Sequence, residues 1–500
     1  MSIKSIAGRV FAKIVSHRTY TWAENPVTTQ QKVFEKLIEK AKNTRFGQDH
    51  GFEGIRSYKD FAERVPIRDY EALKPYVEQV LNGEADVLWP GKPLYFAKTS
   101  GTTSGAKYIP LTADSMPNHI NAARDAILLY IHETGNSELV DGKMIFLQGS
   151  PELKEKNGIK VGRLSGIAAH YVPGYLQKNR LPSWETNCIP DWETKVDTVV
   201  KETMDEDMTV IGGIPSWVQM YFEKLQQRSG KKIGNLFENF NLFIYGGVNY
   251  EPYRAKFEAL IGRKVDSIEL YPASEGFFAF QDKQDVKGML LLLNSGIFYE
   301  FVEAQYFYEE NPPRLTISEV EIGVNYVMIV SNNAGLWAYN LGDTIQFTSL
   351  KPYRVVVSGR IKHFISAFGE HVIGKEVEEA KQQAQEQHGF SISEFTVAPM
   401  TQVNDGELPY HEWLVEFENP PEQLEEVERT LDKAMQNQNS YYYDLIQGKI
   451  LQPLKIKVLA KDSFNSLMKS QGKLGGQNKV PRLANDRKIA EGLYRIQPQN

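Results

Sequence analysis

Short apolar runs alternate, over much of the first half of the chain, with stretches whose apolar residues recur every three or four positions. Short apolar runs are typical of buried strands, and apolar residues at every third or fourth position are typical of helices with one apolar face. The predicted strands are Pro93–Lys98, Tyr108–Leu111, Lys143–Gln148, Thr209–Ile211, Asn241–Tyr245 and Ser267–Tyr271. The predicted helices are residues 112–133, which Thr112 or Asp114 can cap, and Trp192–Met204, Ser216–Ser229 and Pro252–Ile261. This alternation predicts a layered α/β domain.

Two further helices are predicted ahead of this region, at Ile3–Val15 and Gln30–Thr44. In the first helix, the apolar residues at helical spacing are Ile3, Ile6, Val10, Phe11 and Ile14, and the basic residues between them are Lys4, Arg9 and Lys13. We expect this helix to pack on the main domain. Such a helix can also lie on a membrane surface or serve in targeting, and the sequence leaves that alternative open.

Beyond Gly288 the pattern changes to closely spaced strands. These are predicted at Met289–Leu293, Phe298–Val302, Glu319–Ile322, Tyr326–Val330 and Thr344–Leu350. Strands that follow one another without intervening helices are typical of antiparallel pairing. We therefore assign residues 288–358 to a strand-rich, antiparallel part of a large domain that spans residues 1–358.

The composition changes again near Val357. A strand is predicted at His411–Phe417, between charged helices at Gly374–Gln387 and Glu422–Gln436. We therefore predict a hinge at residues 359–369 and a smaller, mobile α+β domain at residues 370–500. Within that domain, residues 469–482 are rich in Gly, Lys and Gln, which predicts a mobile loop.

The composition excludes several classes of protein. The chain has 500 residues, 41% hydrophobic and 24% charged, which is the balance of an ordinary globular protein. A formal net charge of -6 argues against a general nucleic-acid binder. A single cysteine, Cys188, excludes an intramolecular disulfide, and no apolar run approaches the roughly 18 residues that span a bilayer. We expect a cytoplasmic protein without nucleic-acid partners or integral membrane association; the sequence leaves the oligomeric state open.

The segment between the first two predicted strands, TSGTTSGAK at Thr99–Lys107, holds the densest group of candidate binding residues. Its glycines allow close backbone approach, its hydroxyls add hydrogen-bond donors, and Lys107 adds positive charge, which together suit a polyphosphate. The spacing differs from a Walker A loop, and a strand follows where that motif has a helix. A structural hairpin loop is the alternative, but the density of hydroxyls and the terminal lysine favour phosphate binding.

A second motif, YPASEG at Tyr271–Gly276, directly follows a predicted strand. Sheets of α/β proteins bind ligands at the carboxyl ends of their strands. Glu275 can hold magnesium on a triphosphate, and Tyr271 can stack on a base. The alternative is a turn with a solvated glutamate.

The third motif, YNLGD at Tyr339–Asp343, precedes a predicted strand. An aspartate in such a position can accept hydrogen bonds from both hydroxyls of a ribose. Taken alone, a Leu-Gly-Asp sequence is also typical of an ordinary turn.

The order of these three motifs resembles the auxin-responsive acyl acid amido synthetases, the Gretchen Hagen family of the adenylate-forming superfamily. That family carries SSGTTxGxxK, YxxSEG and YRxGD in the same order. The resemblance extends over the whole chain, including GRIKHFISAFGEH at residues 359–371 and GQNKVPR at residues 476–482. The GTTSGAK and SEG forms favour the amido synthetase branch over the rest of the superfamily.

The resemblance implies roles for the positions that match. It implies that the ATP phosphates are held by Ser100, Gly101, Thr102, Thr103, Gly105 and Lys107. It implies that adenine, the α-phosphate and Mg²⁺ are surrounded by Gly246, Gly247, Tyr271, Ser274, Glu275 and Gly276, with Glu275 as the metal ligand. Asp343 and Arg360 would hold the ribose, and Lys107, Glu275, His371 and Lys479 are the candidate catalytic residues.

Three positions depart from the family pattern. Thr99 replaces the first serine, which is a mild change because the hydroxyl is kept. Asn340 stands where the arginine of YRxGD is expected, so this sequence does not support a role for that arginine. His371 stands where the family often has lysine, so a charge contact there would be weaker and dependent on pH.

The reaction implied by the resemblance uses ATP and Mg²⁺ to convert a small carboxylic acid to an acyl-adenylate, and then transfers the acyl group to an amine, in particular an amino acid. An acyl-CoA ligase shares the first half-reaction but uses a thiol acceptor, and the sequence does not exclude it. A nucleotide-binding protein without turnover is the alternative from another class. The presence of Lys107, Glu275 and Asp343 argues against that reading.

Overall fold

The structure is a computed structural model that describes residues 2–99, 107–172, 177–247, 250–361, 364–365, 372–401, 403, 407–447, 450–471, 480–484 and 486–496. The chain divides into two compact units. The first comprises Met1–Val302, Asn311–Leu341 and Gln346–Val356, and the second comprises Glu303–Glu310, Gly342–Ile345 and Val357–Asn500. The predicted hinge at residues 359–369 and the predicted mobility of the smaller domain stay predictions.

Several helices of the first unit begin at residues whose side chains accept hydrogen bonds from free amide groups. The Ser57 hydroxyl accepts from the Asp60 amide while the Asp60 carboxylate accepts from the Ser57 amide, which is a capping box. The Asp69 carboxylate accepts from the amide of Ala72. The helices are α1 Ile3–Ala23, α2 Pro26–Ala41, α3 Arg45–Asp49, α4 Tyr58–Arg64, α5 Tyr70–Leu81, α6 Met116–Thr134, α7 Leu164–Ala169, α8 Trp184–Cys188, α9 Trp192–Thr203, α10 Pro215–Ser229, α11 Ile233–Leu236 and α12 Glu251–Ile261.

The strands up to residue 360 form two sheets. They are β1 Tyr95–Thr99, β2 Lys107–Leu111, β3 Lys143–Phe146, β4 Lys154–Lys156, β5 Ile159–Gly162, β6 Arg180–Leu181, β7 Met208–Gly212, β8 Leu242–Gly246, β9 Asp266–Ala273, β10 Gly276–Phe280, β11 Met289–Leu291, β12 Ile297–Glu303, β13 Asn325–Asn332, β14 Tyr339–Leu350 and β15 Tyr353–Arg360. The smaller sheet has the order β2-β1-β5-β4, and the larger has the order β12-β13-β14-β15-β11-β10-β9-β8-β7-β3-β6.

The larger sheet has a parallel part and an antiparallel part. Strands β6, β3, β7, β8 and β9 pair in parallel, whereas β9, β10, β11 and β15 pair antiparallel. Every residue of β7 is buried, as expected for a parallel strand that is covered on both faces. The predicted α/β alternation followed by antiparallel strands is therefore confirmed. The antiparallel part begins earlier than predicted, at Gly276 rather than after Gly288.

One predicted strand, Glu319–Ile322, is wrong. The Glu319 carboxylate accepts hydrogen bonds from the amide and the hydroxyl of Thr316, both at 2.7 Å. This local pairing folds the backbone into a turn, and only an isolated bridge between Ile322 and Phe347 remains. A side chain that satisfies nearby amide groups competes with a strand ladder in this way.

The N-terminal helix packs on the first unit as predicted, but by a different face. Helix α1 extends to Ala23, beyond the predicted end at Val15. Its buried positions are Ser5, Ala12, Val15, Ser16, Thr19 and Ala23, which lie against α6 residues such as Ala122 and Ala126. The apolar residues that predicted the helix are exposed. Of the helices in the described residues, none combines the length and the apolar composition that crossing a bilayer requires.

The second unit is an α+β arrangement around the sheet β18-β19-β20. Its strands are β16 Phe364–Ile365, β17 Val372–Ile373, β18 Ser391–Met400, β19 Tyr410–Asn419 and β20 Lys455–Val458, and its helices are α13 Gly374–His388, α14 Leu424–Gln438, α15 Ser440–Gln447, α16 Ser463–Ser470 and α17 Lys488–Ile496. In its core, the rings of Phe395 and Trp413 stack with centroids 5.5 Å apart. The predicted elements at 374–387, 411–417 and 422–436 all have counterparts here.

The segment predicted as a mobile loop, residues 469–482, is structured at both described ends. Lys469 and Ser470 belong to α16. The carbonyl oxygen of Arg482 accepts from the amide of Val397 at 2.9 Å, and the Arg482 guanidinium pairs with Glu378 and Glu394. The extent of the predicted loop is therefore wrong, because contacts with β18 and α13 fix its second end. Residues 472–479 lie outside the described residues.

Candidate active site

The carboxyl ends of β3, β7, β8 and β9 lie at one edge of the larger sheet, because these neighbouring strands are parallel. This edge is where α/β sheets bind ligands. Two of the strands end in glycine, β7 at Gly212 and β8 at Gly246. At Gly212 an added β-carbon would come 2.8 Å from the Phe146 ring, so packing against the neighbouring strand requires glycine there.

Gly246 and Gly247 lie beside the strand that carries the second motif. Gly246 pairs with Leu270 of β9. A β-carbon added at Gly246 would come 2.5 Å from the Leu270 carbonyl oxygen and 3.2 Å from Cδ of Pro272. Gly247 has φ +74°, a left-handed conformation that favours glycine. The close approach of β8 to β9 therefore requires glycine at 246, and the backbone conformation favours glycine at 247.

The second motif forms a tight hairpin between β9 and β10. Ala273 pairs with Gly276, so Ser274 and Glu275 make up the turn. The motif was predicted to be a loop after the strand; in fact Tyr271 and Gly276 lie within strands, and only Ser274 and Glu275 project from the tip. Tyr271 is buried, and its ring packs against the Phe278 ring with centroids 5.1 Å apart at 62°. The hairpin thereby fixes the backbone on either side of Glu275.

Two asparagines that the sequence did not indicate hold this hairpin in place. The Asn332 amide nitrogen donates to the Glu275 carbonyl oxygen at 2.7 Å. From α6, the Asn118 side chain accepts from the amide of Phe277 at 2.7 Å and donates to its carbonyl at 3.0 Å. Asn118 therefore acts as a substitute strand neighbour for β10. No local pattern could reveal either contact, because the partners are 57 and 159 positions apart in sequence.

The phosphate loop predicted from the first motif lies between β1 and β2. These strands pair antiparallel, with Thr99 opposite Lys107. Residues Ser100, Gly101, Thr102, Thr103 and Gly105 lie outside the described residues. Lys107 is the first residue of β2, so it is held by a strand and does not belong to the loop itself. Its ammonium lies 5.7 Å from the centre of the Tyr70 ring, and the Tyr70 hydroxyl accepts from the Tyr108 amide at 2.9 Å. Tyr70 is a further neighbour of this site that the sequence did not predict.

A glutamate two residues before Tyr271 has an altered acidity. Glu269 lies on β9 opposite Tyr245 of β8. Burial raises the pKa of Glu269 to about 7, and the nearby charge of Glu251 adds to this effect. A carboxyl group that titrates near neutral pH at this edge of the sheet is not visible as a motif.

A buried polar cluster lies at the end of β3. The Lys195 ammonium donates to the carbonyl oxygens of Gln148 at 2.9 Å and Asn187 at 2.7 Å. Desolvation lowers the pKa of Lys195 to about 8. In both of these partner residues a buried side-chain atom lacks a hydrogen-bond partner among the described residues, namely Nε2 of Gln148 and Oδ1 of Asn187. A buried cation among unsatisfied polar atoms is typical of a site for a polar ligand group.

The remaining predicted site residues belong to the second unit. Asp343 lies within β14, whereas the sequence placed it before the strand. Gly342, next to it, has φ +82°, and its carbonyl oxygen accepts from the amide of Ile361 at 2.7 Å. This bond holds the backbone beside Asp343 next to the end of β15, which is Arg360. His371 and Lys479 lie outside the described residues.

A magnesium nucleotide suits the residues of the first unit. Among the described residues, no group of three or more acidic, histidine or cysteine side chains could hold a metal ion. Glu275 therefore offers a single carboxylate at the tip of its hairpin. Magnesium in nucleotide sites is usually bound by one or two carboxylates, phosphate oxygens and several waters. Glu275 and the glycine edge at Gly246 fit that arrangement.

The solved structure of the GH3.15 acyl acid amido synthetase in complex with 2,4-DB has the same architecture. It matches 98% of this chain and 96% of its own with a TM-score of 0.79, at 17% sequence identity. The fold is therefore that of an acyl acid amido synthetase, and the predicted combination of a large α/β domain with a smaller C-terminal domain is confirmed.

The sequence matches three domains of one family in order. The GH3 family N-terminal domain matches residues 16–193, the GH3 family central domain matches residues 290–360, and the GH3 family C-terminal domain matches residues 375–488. The chain belongs to the GH3 family of adenylate-forming enzymes. The family predicted from the three motifs is thereby confirmed.

Two relatives illustrate the range of the family. The indole-3-acetic acid-amido synthetase GH3.3 of Arabidopsis thaliana is 22% identical over 93% of this chain and 90% of its own. The jasmonoyl--L-amino acid synthetase JAR4 of Nicotiana attenuata is 22% identical over 63% of this chain and 66% of its own. These relatives are named for different acids, so membership of the family does not define the acid.

Proposed function

We propose that this protein is an ATP-dependent acyl acid amido synthetase, which activates a small carboxylic acid as an acyl-adenylate and transfers the acyl group to the amino group of an amino acid. The match to all three GH3 domains carries this proposal. One relative described above is named as a jasmonoyl-amino acid synthetase and the other as an indole-3-acetic acid-amido synthetase. The enzyme class, an adenylate-forming ligase, is the one predicted from the motifs.

In the first half-reaction, a carboxylate oxygen attacks the α-phosphorus of ATP and pyrophosphate leaves. The reaction needs no side-chain nucleophile, so the protein contributes mainly by positioning and by stabilising charge. Lys107 and the segment Ser100–Gly105 hold the phosphates. Glu275 holds Mg²⁺, which when bound neutralises charge on the phosphates.

Separate groups of residues are proposed for the base and for the ribose. Gly246 and Gly247 allow the base to approach the backbone, and the Tyr271 hairpin with Ser274 and Gly276 lies beside it. Asp343 accepts from the ribose hydroxyls, and Arg360 adds a further contact. The bond between Gly342 and Ile361 supports this assignment because it fixes the backbone beside Asp343.

In the second half-reaction, the amine attacks the carbonyl carbon of the adenylate, loses a proton, and AMP leaves. Members of this superfamily change the orientation of the small domain between half-reactions, and residues 359–369 are the hinge that we propose for it. His371 and Lys479 then supply cationic contacts from the small domain at the appropriate stage.

The buried cluster around Lys195 binds the polar end of one of the two organic substrates. It lies at the carboxyl end of β3, two strands from β8, which corresponds to about 10 Å across the sheet. The Lys195 ammonium and the Gln148 amide are both donors, which suits a carboxylate. Mutation of Lys195 to methionine is therefore expected to raise KM for an organic substrate while leaving KM for ATP unchanged.

The nucleotide products test the proposed function directly. A single turnover with a competent acid and amino acid, resolved by chromatography, is expected to give AMP and pyrophosphate. ADP as the main product would contradict adenylate formation. Replacing the amino acid by coenzyme A distinguishes the acceptors, because a thioester product would assign the chain to the acyl-CoA ligases instead.

The composition supports a cytoplasmic location. A single cysteine fits a reducing compartment. Fractionation of cells that express the full chain, in salt high enough to release peripherally bound protein, is expected to place the enzyme with the cytoplasmic markers.

A further inference from the structure

Helix α1 presents an apolar stripe to solvent on the side away from α6. The stripe consists of Ile3, Ile6, Val10, Phe11 and Ile14, whose side chains are between 41% and 87% exposed. At about 100° per residue these five side chains fall within an arc of about 140° that extends over three turns. A contiguous exposed apolar surface of this kind marks an interaction site more often than scattered single residues do.

Basic residues border the apolar stripe on both sides. By helical position, Lys4 lies along one border and Lys13 along the other, and both are exposed. No aspartate or glutamate occurs between Ser2 and Ala23, in a chain whose net charge is -6. The helix is therefore positively charged although the chain as a whole is negatively charged, and its partner is expected to be anionic.

Two carboxylates near α1 have partners within the first unit. Asp141 accepts from the hydroxyls of Ser2 and Ser5 at 2.5 and 2.6 Å. Asp125 pairs with Arg124 at 2.7 Å, and the Arg124 guanidinium lies 5.4 Å from the centre of the Phe11 ring. The charge of Lys4 contributes to the lowered pKa of Asp141.

We propose that α1 binds the enzyme peripherally to an anionic membrane surface. The helix would lie in the plane of the lipid headgroups, with the apolar stripe inserted between acyl chains and Lys4 and Lys13 at the level of the phosphates. Ala12 and Ser16 pack on the first unit at the same time, because they lie on the opposite face.

A second copy of this chain is the competing occupant of the stripe. A twofold contact through α1 would bring the same basic borders of two helices together, and like charges in contact oppose association. An anionic lipid surface neutralises these charges instead. The charge distribution therefore favours the membrane over self-association.

Vesicle flotation of the full chain tests the proposal. We expect the protein to float with vesicles of phosphatidylcholine and phosphatidylglycerol, to bind pure phosphatidylcholine much more weakly, and to dissociate as salt is raised. The double substitutions Val10→Gln/Ile14→Gln and Lys4→Glu/Lys13→Glu should each reduce binding about tenfold or more. Since these four side chains are exposed, the urea midpoint of unfolding should change little.

Matched controls replace equally exposed residues outside α1. Ile322→Gln removes an apolar side chain, and Lys59→Glu/Lys201→Glu reverses two charges; neither change should affect flotation. The proposal is overturned if the wild-type chain does not bind anionic vesicles, or if the control and α1 variants lose binding equally. It is also overturned if sedimentation shows an oligomer that Val10→Gln/Ile14→Gln dissociates, which would assign the stripe to a second copy.

Discussion

Lys107 starts the strand that follows the proposed phosphate loop, and its ammonium lies beside the ring of Tyr70. A strand restricts the backbone more than a loop does, so this cation is positioned before any nucleotide arrives. Such a preorganised charge is more effective in stabilising developing negative charge than a flexible one.

Mutation of Lys107 to alanine is expected to lower the rate of ATP–pyrophosphate exchange by roughly 10²–10³, because one contact to developing charge is lost. Lys98→Ala removes an exposed lysine from β1 of the same hairpin and should leave exchange nearly unchanged. Exchange with a competent acid and the urea midpoint are measured for both variants. Near-full activity of Lys107→Ala would show that its assigned role is wrong, and unfolding would indicate a structural role.

Glu269 predicts a pH dependence of stability at the level of a single group. Its carboxyl titrates at 4.5 when unfolded, and burial raises its pKa to about 7 in the folded protein. Between these values the folded state keeps a proton that the unfolded state has released. The contribution of Glu269 to the free energy of unfolding therefore falls as pH rises from about 4.5 to 7, and is constant above that range.

Mutation of Glu269 to glutamine is expected to remove the loss of stability that ionisation of Glu269 causes. The variant should therefore be more stable than wild type by about 1–3 kcal/mol at pH 8. The difference should shrink towards pH 4.5. Urea unfolding from pH 4.5 to 8 measures it, with Glu258→Gln, an exposed glutamate of α12, as the control. A difference that does not vary with pH would contradict the assigned titration.

At the scale of elements, the close approach of β8 and β9 determines the nucleotide edge. Gly246 faces the Leu270 carbonyl so closely that an added methyl group would require one strand to move. Asn332 and Asn118 hold the neighbouring hairpin from β13 and α6. The position of Glu275 therefore depends on four elements from different parts of the sequence.

Mutation of Gly246 to alanine is expected to destabilise the first unit by about 1–3 kcal/mol, since overpacking displaces backbone. It should also weaken ATP binding, because the edge that faces the base moves. Gly8→Ala is the control: no atom lies within 4 Å of its added β-carbon, and helix propensity should make it stabilising by about 0.5–1 kcal/mol. Calorimetric ATP titration and urea unfolding test both variants. Wild-type affinity in Gly246→Ala would contradict the proposed base site.

At the scale of the whole molecule, two residues of the second unit should contribute to different stages of the reaction. In the proposed site Asp343 contacts ribose hydroxyls, which do not change during chemistry, so we expect Asp343→Ala to raise KM for ATP with little change in kcat. Lys479 should act when the small domain reorients, so Lys479→Ala should lower kcat in one half-reaction more than in the other.

Exchange and complete amide synthesis, measured separately, distinguish these expectations. Lys461→Ala, an exposed lysine of the second unit, is the control for loss of charge. Equal losses of Lys479→Ala in both assays would remove the case for a role confined to one half-reaction. An unaffected enzyme would show Lys479 to be an ordinary surface lysine.

The sequence by itself determined the class of fold and the family. Strand and helix spacing depends on neighbours within a few positions, so the α/β alternation was predictable from residues such as those of β7 and α10. The three motifs are also short and local, and their order led to the GH3 family, which the domain matches confirm. The strand predicted at Glu319–Ile322 was wrong because these residues form a turn. That turn depends on a side-chain contact, which competes with strand pairing.

Tertiary structure decided which of these residues are buried, paired or exposed. The apolar residues of α1 predicted a packed face, yet small residues pack on α6, because a close contact between helices requires small side chains. Asn332, Asn118 and Lys195 had no signal in the sequence. Their partners lie on other elements, and burial and long-range hydrogen bonding depend on which segments meet in space.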